Sequence, residues 1–186
     1  MSSIWQNPAL RPAPTTFMIT TLIRPAPPAA TAPSGRQREF LAFEIDAQEY
    51  GVDILQVREI RAFEAPVPLA NAPVHLLGRL NLRGVFVPVI DLRLHFGARS
   101  AAFDERTVVI VLQGAERLIG AVVDAVSDVI AFHGEQIRAL PTFHPGVTSD
   151  HLLAIASFDD RTLTLLDLDK LLASPALGLA AASTLN

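Results

Sequence analysis

Cysteine is absent from the 186 residues, which removes disulfides, thiolate metal sites and cysteine nucleophiles together. Tryptophan and tyrosine occur once each, as Trp5 and Tyr50, so a ligand groove built of clustered Trp and Tyr cannot be assembled. No apolar run approaches the roughly 18–20 residues that span a bilayer. The longest, around Val108 to Leu112, predicts a buried strand. Phe17 to Ile23 is too short and too rich in threonine for a secretory signal, and Met18 offers an alternative start. The expectation is a cytoplasmic protein with no direct membrane insertion. Acidic residues are missing from positions 1–38, which carry Arg11, Arg24, Arg36 and Arg38. The remainder holds all 19 acids against 11 bases, a net of −8. Such a body repels phosphates, which argues against nucleic acid as a partner.

What is present is half apolar and 18% charged, the composition of a globular chain. Up to about Gly35 it is rich in Pro, Ala and Thr and predicts a disordered arm over 1–36. Trp5 falls in that arm. A folded unit is expected over 37–173, followed by a flexible or frayed helical tail over 174–186. Within the unit, Phe40–Ile45 predicts a strand, Asp46–Glu49 a turn and Tyr50–Val52 the return. Thr107–Leu112 and Leu118–Val123 repeat that hairpin. Arg79–Arg83 pairs with Val85–Ile90, and Phe158–Leu166 folds back at Asp159-Asp160.

The chain also repeats itself. His75-Leu-Leu-Gly through Val89-Ile-Asp-Leu92 lies without a gap over His151-Leu-Leu-Ala through Leu165-Leu-Asp-Leu168, a step of 76. Val57-Arg-Glu-Ile60 matches Val126-Ser-Asp-Val129 at a step of 69. Two copies of a β-rich unit predict a pseudo-symmetric pair of five-stranded barrels, each with one short helix, and a seam between them.

Phe40-Leu-x-Phe43, Tyr50-Gly-Val-Asp-Ile54, Val57-x-Glu-Ile60, Asn81-Leu-Arg-Gly84, Pro88-Val-x-Asp-Leu92, Gly120-x-Val-Val-Asp124, Val126-Ser-Asp-Val129 and Leu165 to Leu172 resemble the CheW family of bacterial chemotaxis coupling proteins. The resemblance covers about 38–173 in order and at the family's spacing. It implies a mostly β fold of two SH3-like five-stranded barrels. It also implies a non-enzymatic adaptor, without cofactor or metal, that joins the cytoplasmic tips of methyl-accepting chemoreceptors to the regulatory domain of a CheA-type histidine kinase. Recruitment to membrane-associated receptor arrays follows from that role. Related adaptors serving pilus, biofilm or second-messenger pathways share the same domain, and a generic SH3-like binding module is a further alternative.

Six residues are expected to meet partners: Val57, Glu59, Arg79, Asn81, Arg83 and Gly84. Strand alternation places Leu77, Arg79, Asn81 and Arg83 on one face, with glycines at 78 and 84 allowing a tight turn and close backbone approach. Arg83 then projects from a corner where its guanidinium can grip a carboxylate. Its competing role is an internal salt bridge or cap. Val57 and Glu59 match the segment the family places near the receptor groove, although Val57 also suits an ordinary core. Arg79 stands where the family has an apolar residue, and Ala154 where it has Gly.

An enzyme would need an asymmetric constellation from His75, His95, His133, His144 and His151 with Asp91, Asp124 and Asp167. His75 and His151 are repeat equivalents, which predicts a shared structural role. Asp91 and Asp167 precede short helical turns and suit N-caps. Ser127 beside Asp128 has no base at a defined spacing, and no His-x-His or Glu-x-x-His suggests a metal.

Overall fold

The computed structural model describes residues 37–99, 102–115, 117–140 and 151–179. The expected arm, with Trp5, lies outside them. Eleven strands run β1 Arg38–Ile45, β2 Gln48–Asp53, β3 Val57–Ala62, β4 Leu76–Leu82, β5 Val85–Asp91, β6 Val108–Gln113, β7 Leu118–Val123, β8 Ala125–Phe132, β9 Ile137–Ala139, β10 Leu152–Phe158 and β11 Arg161–Leu166. Among the described residues two short helices, α1 Leu92–His95 and α2 Leu168–Ala173, follow β5 and β11. Each is capped as expected. The Asp91 carboxylate accepts from the Arg93 amide at 3.0 Å, and the Asp167 carboxylate from the Lys170 amide at 3.1 Å. The first turn is tighter than the sequence suggests: Asp46 and Ala47 alone form it, both at positive φ, and Gln48 and Glu49 already belong to β2.

The strands form a six-stranded sheet, β8-β1-β2-β11-β10-β9, and a five-stranded sheet, β3-β6-β7-β5-β4. The fold is therefore mostly β with two sheets, as the repeat implies, but its construction differs in two respects. Each sequence copy does not fold onto itself. The first hairpin of each copy, β1–β2 or β6–β7, sits in the sheet formed by the later strands of the other copy. The cause is the length of the links. Asp124 alone separates β7 from β8, and one residue cannot reverse an antiparallel strand, for which the shortest common turn has two. The chain runs on and pairs β8 with β1. A single 3-10 turn, Ile54–Gln56, likewise carries the chain from β2 to β3 in the other sheet.

The second difference is closure. Among the described residues no ladder joins β8 to β9 or β3 to β4, so the expected barrels remain open sheets. The pseudo-symmetry is nonetheless kept in register. Val57 faces Leu112 and Val126 faces Phe43; 57 to 126 and 43 to 112 are both steps of 69. The parallel pairs Val89–Gly120 and Leu165–Gly51 are equivalent in the same way.

Burial follows this plan. Phe40, Ile130, Phe132, Leu163 and Leu165 form a buried cluster on the six-stranded sheet. On the five-stranded sheet Val89, Val109 and Val122 form a smaller separate cluster, with Phe63, Leu77 and Leu80 leaning on it. A larger shared core joins the sheets, with Phe43 and Val52 meeting Ile90, Ile110, Leu112 and Ile119. Burying each such side chain contributes roughly 1.5–3 kcal/mol. Leu177 and Leu179 are buried in the same core, so burial continues past Ala173 into the stretch where a flexible or frayed helical tail was expected. Their apolar side chains drive this docking.

Candidate functional site

The six expected partner residues lie on β3 and on the β4–β5 hairpin, at opposite edges of the five-stranded sheet. The hairpin closes with two residues. Arg83 and Gly84 both have positive φ, 53° and 91°, the backbone of a turn that matches strand twist. The Asn81 side-chain oxygen accepts a hydrogen bond from the Gly84 amide at 2.7 Å, so Asn81 shapes the corner. Arg83 projects from it with 93% of its side chain exposed, and its Nη2 is 3.8 Å from Glu59 Oε2. Arg61 Nη1 reaches the other Glu59 oxygen at 3.8 Å. The contact is loose and solvated. Arg83 is not a buried clamp.

Arg79 is held by its backbone. Its amide donates to Val67 O at 2.8 Å and its carbonyl accepts from Val67 N at 2.9 Å, while its guanidinium lies 5.5 Å over the Phe86 ring. Next to it Gly78 allows the backbone at Val67 to pass so near that a Cβ would fall 2.1 Å from Val67 O. In the other copy, Ala154 takes the equivalent place and pairs in a regular ladder with Ala139. The departure at Ala154 thus reflects a partner strand that keeps its distance. Around the corner, Val67, Val85 and Phe86 expose apolar surface beside the charged groups. Val57 is half-buried against the shared core and donates its amide to Ile54 O, so it faces inward more than a contact residue does.

The equivalent corner of the six-stranded sheet is built differently. Asp128, the repeat partner of Glu59, holds Arg161 Nη1 at 3.0 Å, and Glu49 accepts from Arg161 Nε at 3.1 Å and also from Nη2. The hydrogen bond to Glu49, then that to Asp128, raises the Arg161 guanidinium above its already high range. One corner is braced and the other carries an exposed, loosely paired arginine. Nothing in the repeat marks this difference, because Arg161 aligns with Val85.

Two further clusters escape a reading by motif. Arg93 is almost fully buried and bonds both oxygens of fully buried Asp91, at 3.0 and 2.8 Å, Asp124 at 2.9 Å and Ala102 O at 2.7 Å. Its hydrogen bond to Asp91 raises its pKa, with Asp124 adding to the effect over the opposing cost of burial. Asp124 also accepts from the Asp46 amide at 2.8 Å, which ties the β1–β2 turn to the β7–β8 link. The candidate catalytic carboxylates thus serve as cap, clamp and turn anchor. The histidines His75, His95 and His151 meet at one end of the shared core, with ring centroids 5.1 Å and 5.6 Å from that of His95. Among the described residues no group of His, Cys, Asp or Glu has the geometry of a metal site. No helix of the described chain is long and apolar enough to cross a membrane.

A family model described as the CheW-like domain matches residues 39–176. The chain is 44% identical to the chemotaxis protein CheW of Klebsiella aerogenes over 142 residues, covering 76% of this chain and 86% of that one. It is 34% identical to the chemotaxis protein CheW of Rhizobium meliloti over 137 residues, 74% and 88% of the two chains. The crystal structure of the scaffolding protein TtCheW from Thermoanaerobacter tengcongensis superposes with a TM-score of 0.66 at 26% identity, covering 70% of this chain and 89% of that one.

Proposed function

The chain belongs to the CheW-like family, and from that premise we propose that it bridges the cytoplasmic tip of a methyl-accepting chemoreceptor and the regulatory domain of a CheA-type histidine kinase. It is a chemotaxis adaptor, a scaffold whose work is to hold other proteins together. The observation that carries the bridging role is the exposed, loosely paired Arg83 corner, set against the braced Arg161 corner of the same fold. A planar guanidinium held only by one loose, solvated pair keeps donors for a partner carboxylate. Glu59 and Gly84 complete that corner, Arg79 with Phe86 extends it, and Asn81 keeps its shape. Val57 anchors the start of β3 against the shared core.

Two sheets with different ends offer separate surfaces, so kinase and receptor bind together. Sedimentation of the adaptor with both partners at low micromolar concentration tests this. A ternary complex is expected. Competition between kinase and receptor for the adaptor would overturn the two-surface bridge.

A further inference from the structure

His75 precedes β4 in one sheet, His151 precedes β10 in the other, and His95 ends α1. The first two are repeat equivalents, and each uses its carbonyl alike: His75 O accepts from Asp91 N at 2.7 Å and His151 O from Asp167 N at 2.8 Å. His95 has no such symmetry partner and sits against both rings. Phe96 stacks on His151 at 5.2 Å and on Tyr50 of β2 at 5.3 Å, and Tyr50 stacks on Phe43 at 6.0 Å. A line of rings therefore runs from the histidines into the core that the sheets share.

We propose that His75, His95 and His151 form a proton-operated latch on the seam between the two sheets, packed when the imidazoles are neutral and pushed apart when the cluster takes up protons. Three imidazoles this close cannot all charge in place, because like charges about 5 Å apart repel strongly when half-buried. The Nε2 of His75 is buried with no hydrogen-bond partner in the described structure, so that edge is already poorly solvated. Burial, then His75 and His151, hold His95 down at about 4. The charged groups on the surrounding elements are engaged elsewhere: Asp91 with Arg93, and Asp167 with the Lys170 amide and ammonium. Tyr50 is a neutral phenol, pushed up by burial and by Asp46.

The sign follows from linkage. An unfolded histidine binds its proton near 6.5, and the folded His95 only near 4, so the unfolded chain holds more protons in between. The stability His95 contributes is complete above about pH 6.5 and drains away as the pH falls toward 4. The latch is a property of the folded chain alone and holds whichever partners bind.

Tyr50, the only tyrosine, gives ring NMR signals that report on the stack. In the wild-type chain these signals are expected to shift as the histidines titrate. In His95→Gln the shift should be lost or much reduced. The urea midpoint should fall between about pH 7.5 and pH 5 by clearly more in the wild type than in His95→Gln. If His95→Gln does not fold, the imidazole titration of the wild type decides. A His95 imidazole still neutral at about pH 5 supports the latch, and a His95 imidazole titrating near 6.5 overturns it. Tyr50 signals that stay fixed through the titration would overturn it as well.

Discussion

Glu59 and Arg83 belong to opposite edges of one five-stranded sheet, yet their charged ends lie 3.8 Å apart. The sheet curls until β3 and the β4–β5 corner face each other, without a ladder between them. A side-chain contact stands where a closed barrel would have backbone hydrogen bonds. Exposed pairs of this kind contribute about 0–1 kcal/mol to stability. Arg83→Ala and Glu59→Ala are therefore expected to leave thermal unfolding almost unchanged while weakening a partner interaction by about 2–5 kcal/mol. Calorimetric titration with the kinase regulatory domain, beside a melting curve, checks both halves. A large drop in Tm with binding per folded molecule intact would make Arg83 structural.

Arg93 behaves in the opposite way. Its guanidinium is buried against fully buried Asp91 and also holds Asp124 and Ala102 O. Removing it leaves a buried carboxylate unpaired, at a cost of about 3–5 kcal/mol. Arg93→Ala should show this loss in urea unfolding. Arg93→Lys should recover only part of it, because an ammonium cannot reproduce the paired bonds to Asp91. Equal stability of Arg93→Ala and wild type would show that the network carries no weight.

Gly78 and Gly84 separate two reasons for glycine. At Gly78 a methyl group would collide with Val67 O, whereas at Gly84 it meets no atom within 4 Å and only the positive φ objects. Gly78→Ala should thus be the more damaging change, by more than the roughly 1 kcal/mol expected of Gly84→Ala. Paired denaturant curves check the order. Reversal would mean that the Val67 backbone moves aside freely.

Leu177 is fully buried, so Leu177→Ala should lose about 2–5 kcal/mol in denaturant unfolding, and a chain ending at Ala173 should lose at least as much. Unchanged stability in both would show that the segment after α2 only rests on the core. For the arm, a chain starting at Gly35 is expected to melt with the full-length protein and to form the same ternary complex at low and moderate salt. A salt-dependent loss on truncation would make the arm functional.

Much of the fold was legible because strands announce themselves through alternation and turn residues. The Arg83-Gly84 and Asp159-Asp160 turns and the Asp91 and Asp167 caps fall where the residues put them. The repeat was legible too, but not which copy's strands would pair, since both hairpins offer similar apolar faces. Only the one-residue link at Asp124 decides that. At the site, Arg83 was visible through its turn. The brace at Arg161 was not, because Glu49, Asp128 and Arg161 come from three distant stretches with no shared spacing. The histidine cluster was half legible: His75 and His151 as equivalents, His95 only once α1 had been placed.

The exchange of hairpins also orders events in time. All five strands of one sheet lie in a continuous stretch, β3 through β7, from Val57 to Val123. The other sheet begins with β1 and β2 and resumes at Ala125, so its first hairpin must wait for strands made 72 residues after Asp53. During synthesis the smaller sheet can assemble from neighbours, while Phe40 and Leu41 remain without the strand that covers them. Bringing distant ends together costs loop entropy and slows folding. The half that carries Phe40 and Phe132 is thus the half that must finish last.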